Sequence, residues 1–148
     1  MDSKVYKVGI IGMGRMGEIR KDQIDLHPNF ELFSITDVNS DVEKKYPNIF
    51  KESWKEVLKS NIDCVFVCTF NDVIPGIVCE ALEAGIHVFS EKPPGKTVAC
   101  IERMQAAEKS SNGCTLKFGF NHRFHYSVMR AKELLDSGEF GKVLWARG

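Results

Sequence analysis

The chain has 148 residues, of which 43% are hydrophobic and 27% are charged, as is typical of a globular protein that buries one core. Lys plus Arg and Asp plus Glu both number 20, so no net positive charge attracts the chain to nucleic acid or to an anionic membrane. The N-terminal residues do not resemble a signal peptide, and no apolar stretch is long enough to cross a bilayer. The sequence therefore favours a cytoplasmic protein that binds neither nucleic acid nor a membrane.

Five apolar runs of strand length follow one another along the chain: Val5 to Ile11, Glu31 to Thr36, Asp63 to Cys68, His87 to Phe89 and Thr115 to Phe120. Helix-like segments separate most of them, and this alternation predicts βαβ units. The run from Cys64 to Cys68 is apolar throughout, as expected of a central strand covered by helices on both faces. We therefore predict an α/β fold with a doubly wound, mainly parallel sheet.

Several residues mark the ends of the predicted helices. Two Ser-x-x-Glu segments fit a capping box at a helix start, namely Ser40 with Glu43 and Ser53 with Glu56. Gly85 and Gly138 each follow a helix-like segment that a left-handed residue would end. Near the end of the chain, apolar spacing predicts a helix from Tyr126 to Ser137, followed by a short strand at Val143-Leu144-Trp145.

Cysteine and histidine usage does not indicate a metal centre. The five cysteines form no C-x-x-C pair, and we interpret them as small buried hydrophobic residues of a reducing compartment; they are Cys64, Cys68, Cys79, Cys100 and Cys114. His122 and His125 could act as a ligand pair, but nothing nearby in the sequence completes a site. We therefore assign no metal.

A complete G-x-G-x-x-G motif lies between the first strand and the helix after it, at Gly12-Met13-Gly14-Arg15-Met16-Gly17. The first glycine permits a tight turn, the second lets a pyrophosphate approach the backbone, and the third lets the helix pack on the strand. Backbone amides of Met13 to Met16 would point at the phosphates from a helix N-terminus. The motif in this position predicts a dinucleotide-binding loop.

Asp37 closes the second strand about 20 residues after the third glycine, where a carboxylate accepts from the adenosine ribose in such folds. We assign Asp37 and Asn39 to this end of the cofactor site. The alternative is that Asp37 only caps the turn into Val38 and Asn39. A carboxylate repels the 2′-phosphate of NADP, and no arginine follows to neutralise it, so the sequence predicts NAD rather than NADP as the cofactor.

Ligands of open α/β sheets bind beyond the carboxyl ends of the strands. Thr69, Phe70 and Asn71 follow the third predicted strand, where they would contact the cofactor, although Asn71 or Asp72 could simply cap the next helix. Glu91 and Lys92 follow the fourth strand, and the proline after Lys92 favours an extended backbone there. Lys92 could donate to a substrate oxygen, or it could be an ordinary solvated lysine.

The chain resembles the glucose-fructose oxidoreductase, inositol dehydrogenase and rhizopine catabolism (Gfo/Idh/MocA) oxidoreductases. The glycine motif, the run from Ala81 to Val88 leading into Glu91-Lys92-Pro93, and the segment from Gly119 to Phe124 carry the resemblance. It implies a Rossmann domain, here residues 1–120, and an α/β substrate domain, of which residues 121–148 would be the hinge helix and first strand. It also implies NAD(P)-dependent chemistry on a hydroxyl of a sugar, sugar nucleotide or cyclitol, and a homo-oligomeric full-length protein.

The resemblance assigns roles to individual residues. Lys92 matches the catalytic lysine beside the nicotinamide, while Asn121 and Arg123 match a segment near the nicotinamide and the domain junction. The chain departs from the family where Phe70 replaces a proline and Ile74 occupies a histidine position, so that cofactor contact must differ. The second domain, with its acidic and histidine partners of the lysine, is not in the sequence, so we expect cofactor binding without efficient turnover.

Two other hypotheses compete with an oxidoreductase domain. A non-catalytic regulator could use bound NAD as a signal, since the family resemblance extends to a transcriptional repressor; the presence of Lys92 argues against this. A short protein could instead pair its strand at Val143-Leu144-Trp145 with a second copy or with a separate domain.

Overall fold

The computed structural model describes residues 4–145 and 147, and its core is a five-stranded parallel sheet with the order β2-β1-β3-β4-β5. The strands are β1 (Tyr6–Ile11), β2 (Phe30–Thr36), β3 (Cys64–Val67), β4 (His87–Ser90) and β5 (Leu116–Phe118). Each strand overlaps one of the five predicted runs. The predicted α/β fold with a parallel sheet is therefore confirmed.

The chain also runs along the outer edge of β2 for a short distance. The amide of Ile35 donates to the carbonyl of Ile49 at 2.9 Å, and the amide of Lys51 donates to the carbonyl of Ile35 at 2.8 Å. This isolated parallel bridge, centred on Phe50, adds a sixth position beside β2. Counted in chain order, the six positions then follow the order 3-2-1-4-5-6 of the dinucleotide-binding Rossmann fold, with its switch point between β1 and β3.

Within the described part of the chain, six α-helices and a short 3₁₀ helix (Asn121–Phe124) connect and follow the strands. The α-helices are α1 (Arg15–Leu26), α2 (Ser40–Lys45), α3 (Trp54–Leu58), α4 (Ile74–Glu83), α5 (Val98–Ser110) and α6 (Tyr126–Asp136). Ile24 of α1 and Val42 of α2 pack against Ile10 on one face of the sheet. Helices α3, α4 and α5 pack on the other face, through residues such as Val57 and Leu82. Among the residues described, no helix is both long and apolar enough to span a membrane.

The predicted helix boundaries are mostly confirmed. The hydroxyl of Ser53 accepts from the amide of Glu56 at the start of α3, and Gly85 and Gly138 have positive φ angles of 78° and 76° after α4 and α6. The cap predicted at Ser40 is wrong, because Asn39 caps α2 by accepting from the Asp41 amide at 3.0 Å. Asp37 accepts from the Asn39 amide at 2.8 Å, and Asn39 has an extended backbone. The cap of α2 therefore lies one position earlier than predicted.

The segment after β5 differs from the rest of the chain. The predicted helix forms as α6, but none of its residues is buried. The predicted strand is not formed, because Val143, Leu144 and Trp145 have no regular secondary structure and no strand within the described residues pairs with them. The side chains of Leu144 and Trp145 are 90% and 76% exposed.

Candidate functional site

The three glycines of the G-x-G-x-x-G motif meet different physical demands. Gly12 has a φ of +94°, and a Cβ there would lie 2.6 Å from the carbonyl oxygen of Cys68. A Cβ on Gly17 would collide with the carbonyl oxygen of Gly12. Gly14 is exposed and has nothing within 4 Å of its Cβ position, so its backbone faces open space at the start of α1. The missing side chains of Gly12 and Gly17 thus allow the close backbone packing of the turn, while Gly14 leaves room for a ligand to approach.

Asp37 joins the turn after β2 to the glycine loop. Its Oδ2 accepts from the amide of Met13 at 2.5 Å and its Oδ1 accepts from the amide of Asn39 at 2.8 Å. Asp37 therefore caps this turn and also anchors the glycine loop. The same half-buried carboxylate also lines a cleft at this end of the sheet. Its contact with a ribose there stays a prediction.

A cleft of about 710 Å³ lies beyond the carboxyl ends of β1, β2 and β3. Five residues predicted from the sequence line it, namely Gly12, Gly14, Asp37, Thr69 and Phe70. The lining also includes residues that were not assigned to this site from the sequence: Ile11, Thr36, Val38, Glu52, Ser53, Trp54, Cys68, Val73 and Ile77. Trp54 lies at the first turn of α3, and no local sequence pattern indicated that it would reach this cleft.

The thiol of Cys68 forms part of the apolar wall of this cleft. Burial raises its pKa to about 12, with a smaller contribution from the negative charge of Glu91. The thiol is therefore protonated and unreactive at neutral pH. All five cysteines are free thiols, and only Cys79 is fully buried while the other four are partly so, close to the prediction of small hydrophobic residues.

A second pocket, of about 580 Å³, opens at the end of β4 and beside the 3₁₀ helix. Its lining comprises Lys92, Gly119, Phe120, Asn121, His122 and Arg123. Lys92, Asn121 and Arg123 were predicted from the sequence, whereas His122 was considered only as a metal ligand. The side chains of these four polar residues are exposed, and no acidic residue lines the pocket, so its electrostatic character is cationic.

The predicted cofactor contact of Glu91 is not supported by its position. The Glu91 side chain is only 6% exposed, and its Oε1 accepts from Nε of Arg20 at 2.8 Å and from Nη2 at 2.5 Å. The guanidinium of Arg20 also lies 4.7 Å from the centre of the Phe89 ring. Glu91 therefore forms a buried ion pair next to Lys92 and does not line either pocket.

Ile74 also lies away from both pockets. It begins α4 and is 1% exposed, because it packs in the hydrophobic core with Ile77 and Val78. Ile74, assigned to the cofactor site from the sequence, therefore lines neither pocket, and its position does not support a cofactor contact. The remaining predicted residues do not line either pocket; they are Met13, Arg15, Met16, Gly17, Asn39 and Asn71.

Arg20 is the residue of this region that the sequence interpretation missed. It is three positions after Gly17 and four before Ile24, the two buried residues of α1, so it lies on the face of the helix that packs on the sheet. A charged residue on such a face requires a buried partner. The helical spacing therefore held the signal, and the partner is Glu91.

The order of the sheet, the glycine loop and the cleft at the switch point define a dinucleotide-binding domain. The family described as "Oxidoreductase family, NAD-binding Rossmann fold" (Gfo/Idh/MocA) matches residues 6–120. The chain belongs to this family, and residues 6–120 are its NAD-binding Rossmann region.

Individual relatives are inositol dehydrogenases. The chain is 31% identical to myo-inositol 2-dehydrogenase of Thermotoga maritima, over 92% of this chain and 42% of that protein. It is 29% identical to scyllo-inositol 2-dehydrogenase (NAD(+)) of Bacillus subtilis, over 96% of this chain and 43% of the relative. A crystal structure of scyllo-inositol dehydrogenase from Lactobacillus casei with bound NAD(H) and scyllo-inositol matches with a TM-score of 0.85 and 32% identity, over 94% of this chain and 43% of that one. The chain thus spans less than half the length of these relatives.

Proposed function

We propose that this chain is the cofactor-binding half of an NAD-dependent dehydrogenase that acts on a hydroxyl of a cyclitol or a related sugar. The observation that carries the proposal is the arrangement at the carboxyl end of the sheet, where the cleft of the glycine loop lies beside the pocket that contains Lys92. The open Cβ position of Gly14 fits a pyrophosphate at the start of α1. The inositol dehydrogenases among the relatives support the substrate class.

In this proposal the two pockets bind different parts of NAD. The first cleft holds the adenosine and pyrophosphate, with Asp37 accepting from the ribose, and the second holds the nicotinamide end beside Asn121 and Arg123. Bound NAD supplies the nicotinamide carbon that takes up a hydride from the substrate carbinol carbon. Lys92 donates a hydrogen bond to the substrate oxygen and helps to move the hydroxyl proton as the carbonyl forms.

Binding of NADH to a matched pair of glycine variants tests the proposal. Gly14→Ala places a methyl group where the pyrophosphate would approach, and we expect the dissociation constant for NADH to rise by about tenfold or more without loss of stability. Gly76→Ala in α4 is the control, because its Cβ position is also open and lies outside both pockets. Equal NADH affinity in the two variants would contradict the proposal.

Turnover provides a second test. We propose that residues 1–120 form the cofactor domain and that residues 121–148 begin a substrate domain, so the chain by itself binds NADH but does not reduce NAD efficiently with myo-inositol or scyllo-inositol. The absorbance of NADH at saturating cofactor measures this directly. Turnover well above a protein-free control would show that the chain needs no further substrate domain.

The same proposal includes a location and an assembly. We place the protein in the cytoplasm, supported by five free cysteines, which are typical of a reducing compartment. We also propose that the full-length protein is a homo-oligomer. Analytical ultracentrifugation of that protein would contradict the assembly if it sedimented as a monomer at micromolar concentration.

A further inference from the structure

We infer that Arg20 is a positioning residue. Through Glu91 and Asn121, it fixes the position of the second pocket relative to the glycine loop. The inference rests on the proposed function, because it requires NAD to extend from the first cleft into the second pocket. It concerns a residue that lines neither pocket and that touches neither the cofactor nor the substrate in this proposal.

Arg20 is fixed at both ends. Its backbone belongs to α1, the helix that begins at the glycine loop, and lies one helical turn after Gly17. Its guanidinium donates twice to Oε1 of Glu91 and once, from Nη2, to Oδ1 of Asn121 at 3.3 Å. The guanidinium is planar and also lies over the Phe89 ring. Its contacts with Glu91, Asn121 and Phe89 together fix its position.

Glu91 is also confined by the backbone at Gly119. A Cβ added to Gly119 would lie 3.0–3.2 Å from the carboxylate atoms of Glu91, so the chain leaving β5 passes directly against this group. The backbone of Glu91 is also fixed, since its amide donates to the carbonyl of Val67 at 2.8 Å. Lys92 is the next residue, and it leaves β4 from this fixed position.

The hydrogen bond from Arg20 to Asn121 joins the segment after β5 to the sheet region. Within residues 4–145, it is the one side-chain hydrogen bond that connects the segment 121–145 with the sheet region 4–118. None of the residues of the 3₁₀ helix or α6 is buried, so packing contributes little to their placement. Arg20 thus links the helix of the glycine loop with both Lys92 and Asn121 of the second pocket.

This arrangement predicts a selective effect on one end of the dinucleotide. NADH extends into the second pocket, whereas ADP-ribose has the same adenosine and pyrophosphate but no nicotinamide. For Arg20→Met we expect the dissociation constant of NADH to rise by about tenfold and that of ADP-ribose to change by less than about twofold. The fluorescence enhancement of bound NADH should also decrease. A role in stability alone would weaken both ligands equally.

Two further variants of α1 complete the comparison. Arg20→Lys keeps the positive charge and a donor, and should recover part of the NADH affinity without restoring the bidentate geometry. Lys21→Met is the matched control, since it removes the exposed salt bridge to Asp25 on the same helix and leaves Glu91 paired. Both ligands should bind this control as they bind the unaltered chain.

A double variant covers the case in which Arg20→Met fails to fold because Glu91 is left buried without its partner. Arg20→Met combined with Glu91→Met replaces the ion pair by apolar side chains of similar length. The same selective loss of NADH affinity is expected. Equal weakening of both ligands, or unchanged NADH affinity, would overturn the inference. If the unaltered chain bound ADP-ribose and NADH equally, the inference would fail while cofactor binding stood; if it bound neither, the proposed function would fail with it.

Discussion

The sheet region (residues 4–118) and the terminal segment (residues 121–145) use their apolar side chains in opposite ways. Ile10, Val65 and Leu82 of the sheet region are at most 1% exposed. In the terminal segment, by contrast, neither the 3₁₀ helix nor α6 has a buried residue. The difference teaches that the fold draws its stability from the sheet region, while the terminal segment contributes side chains to a pocket but none to a core.

The largest expected effect comes from truncating a leucine in each region. Leu82→Ala removes a side chain that is 1% exposed in the main core, and should lower the free energy of unfolding by about 2–5 kcal/mol. Leu135→Ala in α6 alters a side chain that is 48% exposed, and should change it by less than about 0.5 kcal/mol. Urea denaturation of both variants measures the contrast. Similar losses would break the comparison.

A pair of glycines extends the same contrast to the backbone. Gly17→Ala forces a methyl group against the carbonyl of Gly12, and should cost about 1–3 kcal/mol of unfolding free energy while weakening NADH binding. Gly138→Ala is strained by its φ of +76° but has open space around it, and lies after a helix with no buried residue. We expect it to leave both the urea midpoint and NADH affinity unchanged. A loss of stability there would show that α6 is coupled to the core.

Cofactor preference depends on the sheet region. Asp37→Asn removes the charge that opposes a 2′-phosphate while keeping an oxygen acceptor, so the ratio of NADP to NAD affinity should rise by about tenfold, or about 1.4 kcal/mol. Asp41→Asn is the control, because Asp41 pairs with Lys44 on the surface of α2. Titrating both dinucleotides by calorimetry gives the ratio. Tighter binding of NADP than of NAD by the unaltered chain would contradict the assignment.

The smallest predicted effect is a dependence of stability on pH. A hydrogen bond from Lys4, and then one from the Lys7 amide, lower the pKa of Asp63. A lowered pKa in the folded chain means that this stabilisation is complete above the unfolded value of about 3.9 and is lost as the pH falls through the folded value. Because the pair is partly exposed, solvent screening keeps its contribution to stability small.

Urea denaturation at several pH values checks this contribution. Asp63→Asn should flatten the fall in stability below about pH 4. Asp136→Asn, which removes the exposed Lys132 bridge on α6, should leave that pH dependence as it is. Equal changes in the two variants would mean that exposed charge pairs of both regions contribute alike.

The sequence predicted the framework because its signals are local. Strand-length apolar runs, the glycine motif and the αL glycines at 85 and 138 each depend on residues close together in the chain, and the structure confirms them. The predicted cap at Ser40 is wrong because Asp37 accepts from the Asn39 amide and so fixes Asn39 as the cap. The Ser-x-x-Glu pattern begins at Ser40 and does not include Asp37.

The candidate site was predicted in part. Residues that directly follow strands, such as Asp37, Thr69 and Lys92, line the pockets as expected. Glu91 also follows a strand, yet its partner Arg20 lies 71 positions earlier, so no local pattern indicated that its carboxylate is buried. Trp54 comes to the first cleft through the return of the chain along β2, which only the folded arrangement reveals.

That return along β2 also affects how the protein meets its neighbours. Both backbone groups of Ile35 are already paired with residues 49 and 51, so an incoming strand finds no free donor or acceptor at this point. Unpaired sheet edges are templates for aggregation, and a short covering segment is one way to protect them. The connection that brings Trp54 to the cleft therefore also shields one margin of the sheet from unwanted association.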